Sequence, residues 1–248
     1  MNKLKWLDSN IHEVTLAITN KCNAGCPQCH RTNPDGLKPV HWLPDQDWTL
    51  EQFKNAFPLE DLRKIDYLQF CGTWGDPVMN KDIFEMCEWI KSSATDEQDC
   101  PTINIVTNGS MRDPDWWWEL GATIGKKLEV HFAVDGITEE MHQKYRRRAS
   151  LKRVLDNMEA IGNTMARVHA QTIVFKHNEE YMDEIHDLCK THGAISTTFI
   201  TSDRFKMDST QQFGNMGNGD RFKFVNAEGE TEWLERSYVN GKRTVVRS

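Results

Sequence analysis

Six short apolar runs punctuate the chain, and each of the first five is followed by a loop and then by a stretch whose apolar residues return with helical period. Val14–Thr19, Ile65–Cys71, Ile103–Val106, Leu128–Val134, Val168–Phe175 and Ile195–Ile200 have the length and β-branched or aromatic content of strands buried on both faces. The helices between them carry their own punctuation. Thr49 and Gln52 form a capping box for a helix that Pro58 stops after Phe57. Asn80 is placed to cap a helix with Ile83, Met86, Cys87 and Ile90 inward, which makes Cys87 a core residue. Asp113-Pro114 starts the next helix with proline at its first position, and Thr138 caps a short one. Leu151, Val154, Leu155, Met158 and Ile161 stripe the following helix. Asn178 reads as the cap of the last, whose inward positions Met182, Ile185, Leu188 and Cys189 end at Gly193. Strands alternating with helices in this way imply an α/β fold with a parallel sheet and right-handed crossovers, open or closed. Residues that do chemistry on such a sheet gather at the carboxyl ends of the strands.

Four loops sit at that edge: Cys22–Cys29, Gly72–Pro77, Thr107–Gly109 and Asp135–Gly136. The first holds three cysteines at CxxxCxxC spacing, with Gly25 and Pro27 keeping the backbone irregular so that the sulfurs can turn toward one point. Converging thiolates bind soft metal, either an iron–sulfur cluster or a structural zinc. Spacing alone leaves both open. Zinc needs a fourth ligand, for which His12 or His41 are the candidates. An iron–sulfur cubane held by three local cysteines keeps one iron free for chemistry. Disulfides fit poorly with seven cysteines and no secretory signal.

At 248 residues with a net charge of −7, the chain offers no general nucleic-acid-binding surface and no apolar run long enough to span a bilayer. A cytoplasmic location, where thiols stay reduced, follows as an expectation. Residues 1–201 read as one α/β core domain. Residues 202–248 read as a C-terminal extension in which Arg221–Val225 and Thr231–Leu234 pair as a β-hairpin, after a Gly/Asn/Gln-rich stretch from Asp208 to Asp220. Arg31–Asp47, with Pro34, Pro39 and Pro44, reads as a long loop over the cysteines, carrying His41 and Trp42. Trp116, Trp117 and Trp118 cannot share one helix face, so at least one must meet something other than the core.

In this order the loops resemble those of the radical S-adenosylmethionine (SAM) superfamily, over roughly residues 11 to 200. The resemblance rests on the cysteine motif after the first strand, Gly75-Asp76-Pro77 as a form of the family's GGEP loop, Thr107-Asn108-Gly109, and Val134-Asp135-Gly136. The wording Asn23-Ala24-Gly25-Cys26-Pro27-Gln28-Cys29 is similar to the branch that often carries SPASM or Twitch domains, although no cysteine follows Cys189 to hold an auxiliary cluster. The resemblance implies a partial (β/α)6 TIM-like barrel with a short C-terminal extension. It also implies a [4Fe-4S] cluster on Cys22, Cys26 and Cys29, with SAM on the fourth iron.

One electron from an external flavodoxin- or ferredoxin-like donor would cleave SAM to a 5′-deoxyadenosyl radical that abstracts hydrogen from a substrate. By branch, that substrate is a peptide or protein first and a small metabolite or nucleotide second. The implied SAM contacts are Gly75 and Asp76 at the methionyl ammonium, Thr107 and Asn108 at the methionyl or ribose part, and Arg148 at the carboxylate. Gln28 stands where the family usually has an aromatic residue, so its backbone would meet adenine and His30 would supply ring packing. Ala133 replaces a serine that often binds SAM. The rival reading is a zinc-stabilised α/β binding module.

Overall fold

The computed structural model describes residues 12–96, 99–202, 204–206, 219–239 and 243–246. Most of the Gly/Asn/Gln-rich stretch before the hairpin therefore lies outside the described residues. The six apolar runs become β1 (Glu13–Leu16), β4 (Tyr67–Cys71), β5 (Thr102–Thr107), β6 (Leu128–Ala133), β7 (Arg167–Val174) and β8 (Ser196–Thr201). They pair in sequence order and in parallel. A final strand, β11 (Arg243–Val246), adds antiparallel to β8. The order β1-β4-β5-β6-β7-β8-β11 does not close on itself, so the sheet is a half-barrel, as expected.

The helices lie on one face. α1 (Leu50–Ala56), α2 (Leu59–Leu62), α3 (Ile83–Lys91), α4 (Pro114–Ile124), α5 (Glu139–Gln143), α6 (Leu151–Gly162) and α7 (Met182–Thr191) follow the strands. The capping chemistry at Thr49/Gln52, Asp113 and Thr138 is present as read. Leu68, Ile105, Val130, Phe132 and Ala170 point from the sheet into a core shared with Ile83, Cys87, Trp117, Leu120, Val154 and Met158. Trp117 is in that core, Trp116 packs edge-on against Phe84, and Trp118 is exposed.

Two asparagines differ from their reading as caps. Asp82, not Asn80, stands at the start of α3, and the buried Asn80 amide donates to the carbonyls of Ile18 and Trp48. Asn178 makes no capping bond; its amide donates to Asp135 and Ile173, and its Oδ1 accepts from the Phe175 amide. Both side chains tie the carboxyl end of one strand to a neighbouring loop.

The first apolar run also leaves the sheet early. Beyond Leu16 it bonds to the incoming segment before α1, through Trp48 N to Ile18 O at 2.9 Å, and so carries the cysteine loop clear of β4. The proline-rich loop after it contains a two-residue hairpin, β2 (Thr32–Asn33) with β3 (Lys38–Pro39), which buries Leu37. In the C-terminal region, β9 (Arg221–Val225) and β10 (Thr231–Glu235) pair antiparallel. Among the described residues, no helix is long and apolar enough to cross a membrane.

Candidate active site

The four strand-end loops meet. Lys21 O accepts from Asp76 N at 2.7 Å, tying the loop after β4 to the cysteine loop. Gly75 is glycine for this reason: a Cβ there would press on the backbone of Thr19, Asn20 and Lys21, coming 2.8 Å from Asn20 Cα and Lys21 O. None of those atoms can rotate away. The Gly75→Ala chain is therefore expected to lose about 1–3 kcal/mol, read as a melting temperature lower by several degrees, with the cysteine loop displaced.

Asp76 is the hub of the edge. Its buried carboxylate accepts from Thr107 Oγ1 (2.9 and 3.0 Å), Asn108 N (2.7 Å), Asn108 Nδ2 (2.6 Å) and Val78 N (3.1 Å). Burial pushes its pKa up, while the bonds from Asn108 and Thr107 act to keep it ionised. Thr107 and Asn108 thus spend their donors on Asp76, favouring its charged form against the effect of burial. Asn108 Nδ2 also reaches Asn23 Oδ1 (2.9 Å) and stands 3.7 Å from Cys22 Sγ. Asn23 Nδ2 donates to Ser110 Oγ, which donates in turn to Asn108 Oδ1. Asn23 and Ser110 were not among the sequence candidates, although Asn23 lies inside the cysteine motif.

On the opposite side, Asp135 is fully buried and paired with Arg146 (Nε to Oδ2, 2.5 Å). The Ile173 amide donates to its other oxygen at 2.7 Å. Arg146 Nη1 stands 4.0 Å from Cys26 Sγ. Burial works against the guanidinium charge, but Asp135 and Cys26 hold its pKa above the ordinary value. Arg148, the residue expected at the SAM carboxylate, bonds to the loop that follows the cysteines. It sits at φ 66°, lies across Gly25 and donates to the Leu37 carbonyl at 2.9 Å. The arginine beside the cysteines is Arg146.

Gln28 is buried. Its Oε1 accepts from Ser202 Oγ (2.8 Å), its carbonyl accepts from Arg204 Nη1 (2.8 Å), and its Nε2 has no partner. His30 tilts against Trp74 at 5.9 Å, and Trp74 meets Trp42 edge-on at 5.2 Å, so an aromatic row flanks the third cysteine.

A roof covers the cysteines. Ala24, Cys26, Leu37, Tyr145, Phe175, Phe205, Phe222, Phe224 and Leu234 form a second apolar cluster, with Cys22 and Cys29 packed against it. The β9–β10 hairpin is fastened there by Val225 N to Pro34 O (2.8 Å) and Gly36 N to Val225 O (3.1 Å). This apolar cover buries Cys26 and leaves Cys22 and Cys29 half-buried, and burial pushes the Cys26 thiol up to about 11.

The donor set fits a cluster better than a single ion. All three cysteines are free thiols. Among the described residues, only Glu129, His131 and His169 bring three donor atoms within 4.8 Å of one another. The cysteine sulfurs are thus set wider as a trio than the roughly 3.8 Å that tetrahedral bonds of about 2.3 Å place between zinc-bound sulfurs. His12, one candidate fourth ligand, lies at the far end of β1, where its Nδ1 pairs with Asp66 at 2.6 Å.

Residues 16–189 match the family model described as the radical SAM superfamily. The chain belongs to that superfamily. Radical SAM proteins are enzymes that use a [4Fe-4S] cluster and SAM. A probable GTP 3′,8-cyclase of Methanocaldococcus jannaschii is 23% identical over 192 residues, which cover 75% of this chain and 57% of that protein. Among solved structures, Streptococcus suis SuiB bound to the precursor peptide SuiA aligns with a TM-score of 0.61 at 13% identity, covering 82% of this chain and 42% of SuiB. anSMEcpe with bound AdoMet aligns with a TM-score of 0.59 at 16% identity, covering 77% of this chain and 51% of that one. The likeness to these structures is one of fold. The chain spans little more than half the length of the first curated relative and less than half of SuiB. The radical SAM half-barrel accounts for six parallel strands, and family membership replaces the zinc-module reading.

Proposed function

We propose that Cys22, Cys26 and Cys29 hold a [4Fe-4S] cluster and that SAM binds on the strand-end face that the Gly72–Pro77 turn and the cysteine loop form together. When bound, cluster and SAM supply one-electron cleavage of SAM to methionine and a 5′-deoxyadenosyl radical that takes a hydrogen atom from a substrate. Asp76 provides the fixed negative charge facing the methionyl ammonium, with Thr107 and Asn108 as positioning residues that keep it ionised. Gln28, through its backbone, and His30 flank the adenine side. Arg148 braces the loop against Leu37, and Arg146 sets a positive charge beside Cys26. The apolar roof from the hairpin shields Cys26 from water. Residues 1–201 act as the radical SAM core, with 202–248 as a C-terminal extension whose β9–β10 hairpin packs over the cysteines and whose β11 adds to the sheet. The electron comes from an external flavodoxin- or ferredoxin-like donor.

The observation that carries this reading is the trio of unpaired thiols on the loop that closes the sheet's carboxyl edge, set wider than a single ion requires. Anaerobic reconstitution is expected to load about four irons per chain, and reduction with dithionite to release 5′-deoxyadenosine from SAM. A lone zinc and no SAM cleavage would overturn it.

For the substrate, a peptide or protein is the first reading, supported by the fold shared with SuiB in its peptide complex. A small nucleotide is the second, supported by the GTP 3′,8-cyclase relative. Deuterated peptides and deuterated nucleoside triphosphates, offered in parallel, separate them: label appears in 5′-deoxyadenosine from one set only.

A further inference from the structure

The inner face of the half-barrel carries a second group of metal ligands, away from the cysteines. On β6, Leu128, Val130 and Phe132 turn to the helices, so the two-residue period sends Glu129 and His131 to the concave side. On β7 the same alternation sends Arg167 and His169 there. The register pairs Glu129 with Arg167 and His131 with His169. One donor atom from each of Glu129, His131 and His169 lies within 4.8 Å of the others. His131 precedes Asp135 by four residues, about 13 Å of extended strand, which separates this group from the loops at the cysteine edge.

Two further observations point to a ligand. His169 Nδ1 is tied to Ser196 Oγ at 2.7 Å, while its Nε2 is buried without a partner. A metal-binding imidazole is normally oriented in this way, with the second nitrogen anchored and the first aimed at the ion. Asn104, opposite Glu129 in register, is fully buried and has neither its amide nitrogen nor its oxygen bonded. Each such atom costs about 1–3 kcal/mol unless something not supplied by the chain fills the space. A purely structural polar floor would leave both residues unsatisfied. The histidine rings stack at 4.7 Å and 18°, and Arg167 holds Glu129 at 2.6 Å, so the three side chains are gathered at one place, and turning the rings out of their stack brings both nitrogens onto one ion.

We propose that Glu129, His131 and His169 form a mononuclear site for a divalent first-row transition ion of the zinc and iron(II) class. Two imidazoles and one carboxylate suit that class rather than calcium or magnesium, and three protein ligands leave a position open. A water there bonds to Asn104, and an oxygen of the substrate displaces it. The site thus anchors an oxygen-bearing substrate group (carboxylate, phosphate or carbonyl) at the floor of the barrel.

The test uses zinc as the probe. Cluster-loaded protein is dialysed against micromolar zinc and its metals counted; about one zinc per chain is expected beyond the iron. The Cys22, Cys26 and Cys29 to alanine triple variant is expected to keep that zinc while losing iron, which separates this proposal from the cluster reading. His131→Ala and His169→Ala are expected to abolish it. Ser196→Ala, the mildest change, is expected to weaken it by roughly 10–100-fold, with circular dichroism reporting that each variant is folded. No zinc on the triple variant, or equal zinc affinity in the Ser196→Ala and His131→Ala chains, overturns the proposal.

Discussion

The Cys26→Ala chain is expected to fold nearly as well as its parent, to bind iron poorly and to release no 5′-deoxyadenosine from SAM. Folding survives because little of the loop's shape depends on that sulfur. Cys29 N bonds to Cys26 O at 3.0 Å and Gly25 N to Arg147 O at 2.9 Å, and both bonds are made by backbone. With its pKa pushed up to about 11, mainly by burial, the thiol is neutral at pH 7 before metal arrives. Alanine therefore removes a small neutral group and no charge, at a cost on the order of 1 kcal/mol. Arg146 keeps Asp135 as its counter-ion.

Metal binding is where the substitution acts. Two protein thiolates do not hold a cubane that depends on three, and bound iron is expected to fall from about four to below one per chain. Cys87→Ala is the control. Cys87 is fully buried against the helices, so this change is expected to cost stability through a core cavity and to leave iron and SAM cleavage intact. Iron counting, the charge-transfer absorbance and 5′-deoxyadenosine release check the pair. Full iron in Cys26→Ala would remove the cysteine trio from the mechanism.

The contrast between these two cysteines was legible in the sequence, because each depends on local pattern. Cys87 sits in a helical stripe, and Cys26 in a strand-end loop broken by Gly25 and Pro27. The caps at Thr49, Asp113 and Thr138 are local too, since a side chain bonding an amide two or three residues ahead needs only its neighbours. Asn80 and Asn178 carried the same local signature and meant something else. Their amides go to carbonyls remote in sequence, Ile18 and Trp48 for one and Asp135 for the other, bonds that exist only once the strands are side by side.

Three arginines in a row posed the same difficulty at the site. Nothing in the residue types separates Arg146, Arg147 and Arg148. The left-handed backbone at Arg148 sends its side chain to Leu37, Arg147 pairs with Glu232 on the hairpin, and Asp135 draws Arg146 inward. The hairpin itself was readable, but its seat over the cysteines was not. Phe222 and Phe224 alternate as in any half-buried strand, and only the folded chain brings them to Leu37 and Tyr145. Likewise His131 and His169 sit on separate runs, and their meeting depends on the register of β6 with β7.

That inward arginine leads to the largest stability effect expected of a single substitution. Arg146→Gln leaves the Asp135 carboxylate fully buried beside its Ile173 amide bond with no counter-ion. Breaking a buried pair from one side costs about 3–5 kcal/mol, which for a chain of this size lowers the melting temperature by roughly 10 °C.

The pH dependence has a defined sign. Burial already raises the Asp135 pKa in the folded protein against the pull of Arg146, and removing the arginine raises it further. A carboxyl whose folded pKa lies above its unfolded one holds its proton longer in the native state. Stability therefore falls as pH rises from the unfolded value, about 3.9, through the folded one. The variant's deficit is expected to be large at pH 7 and to shrink as the medium is acidified toward pH 4. Asp135→Asn in the same chain removes the uncompensated charge while leaving an oxygen for the Ile173 amide, so the double variant is expected to melt above Arg146→Gln alone. Thermal melts of both single variants and the double at two pH values read the coupling directly. An Arg146→Gln chain that melts like its parent at pH 7 would mean that water reaches Asp135, and the dry, charged flank assigned to Cys26 would go with it.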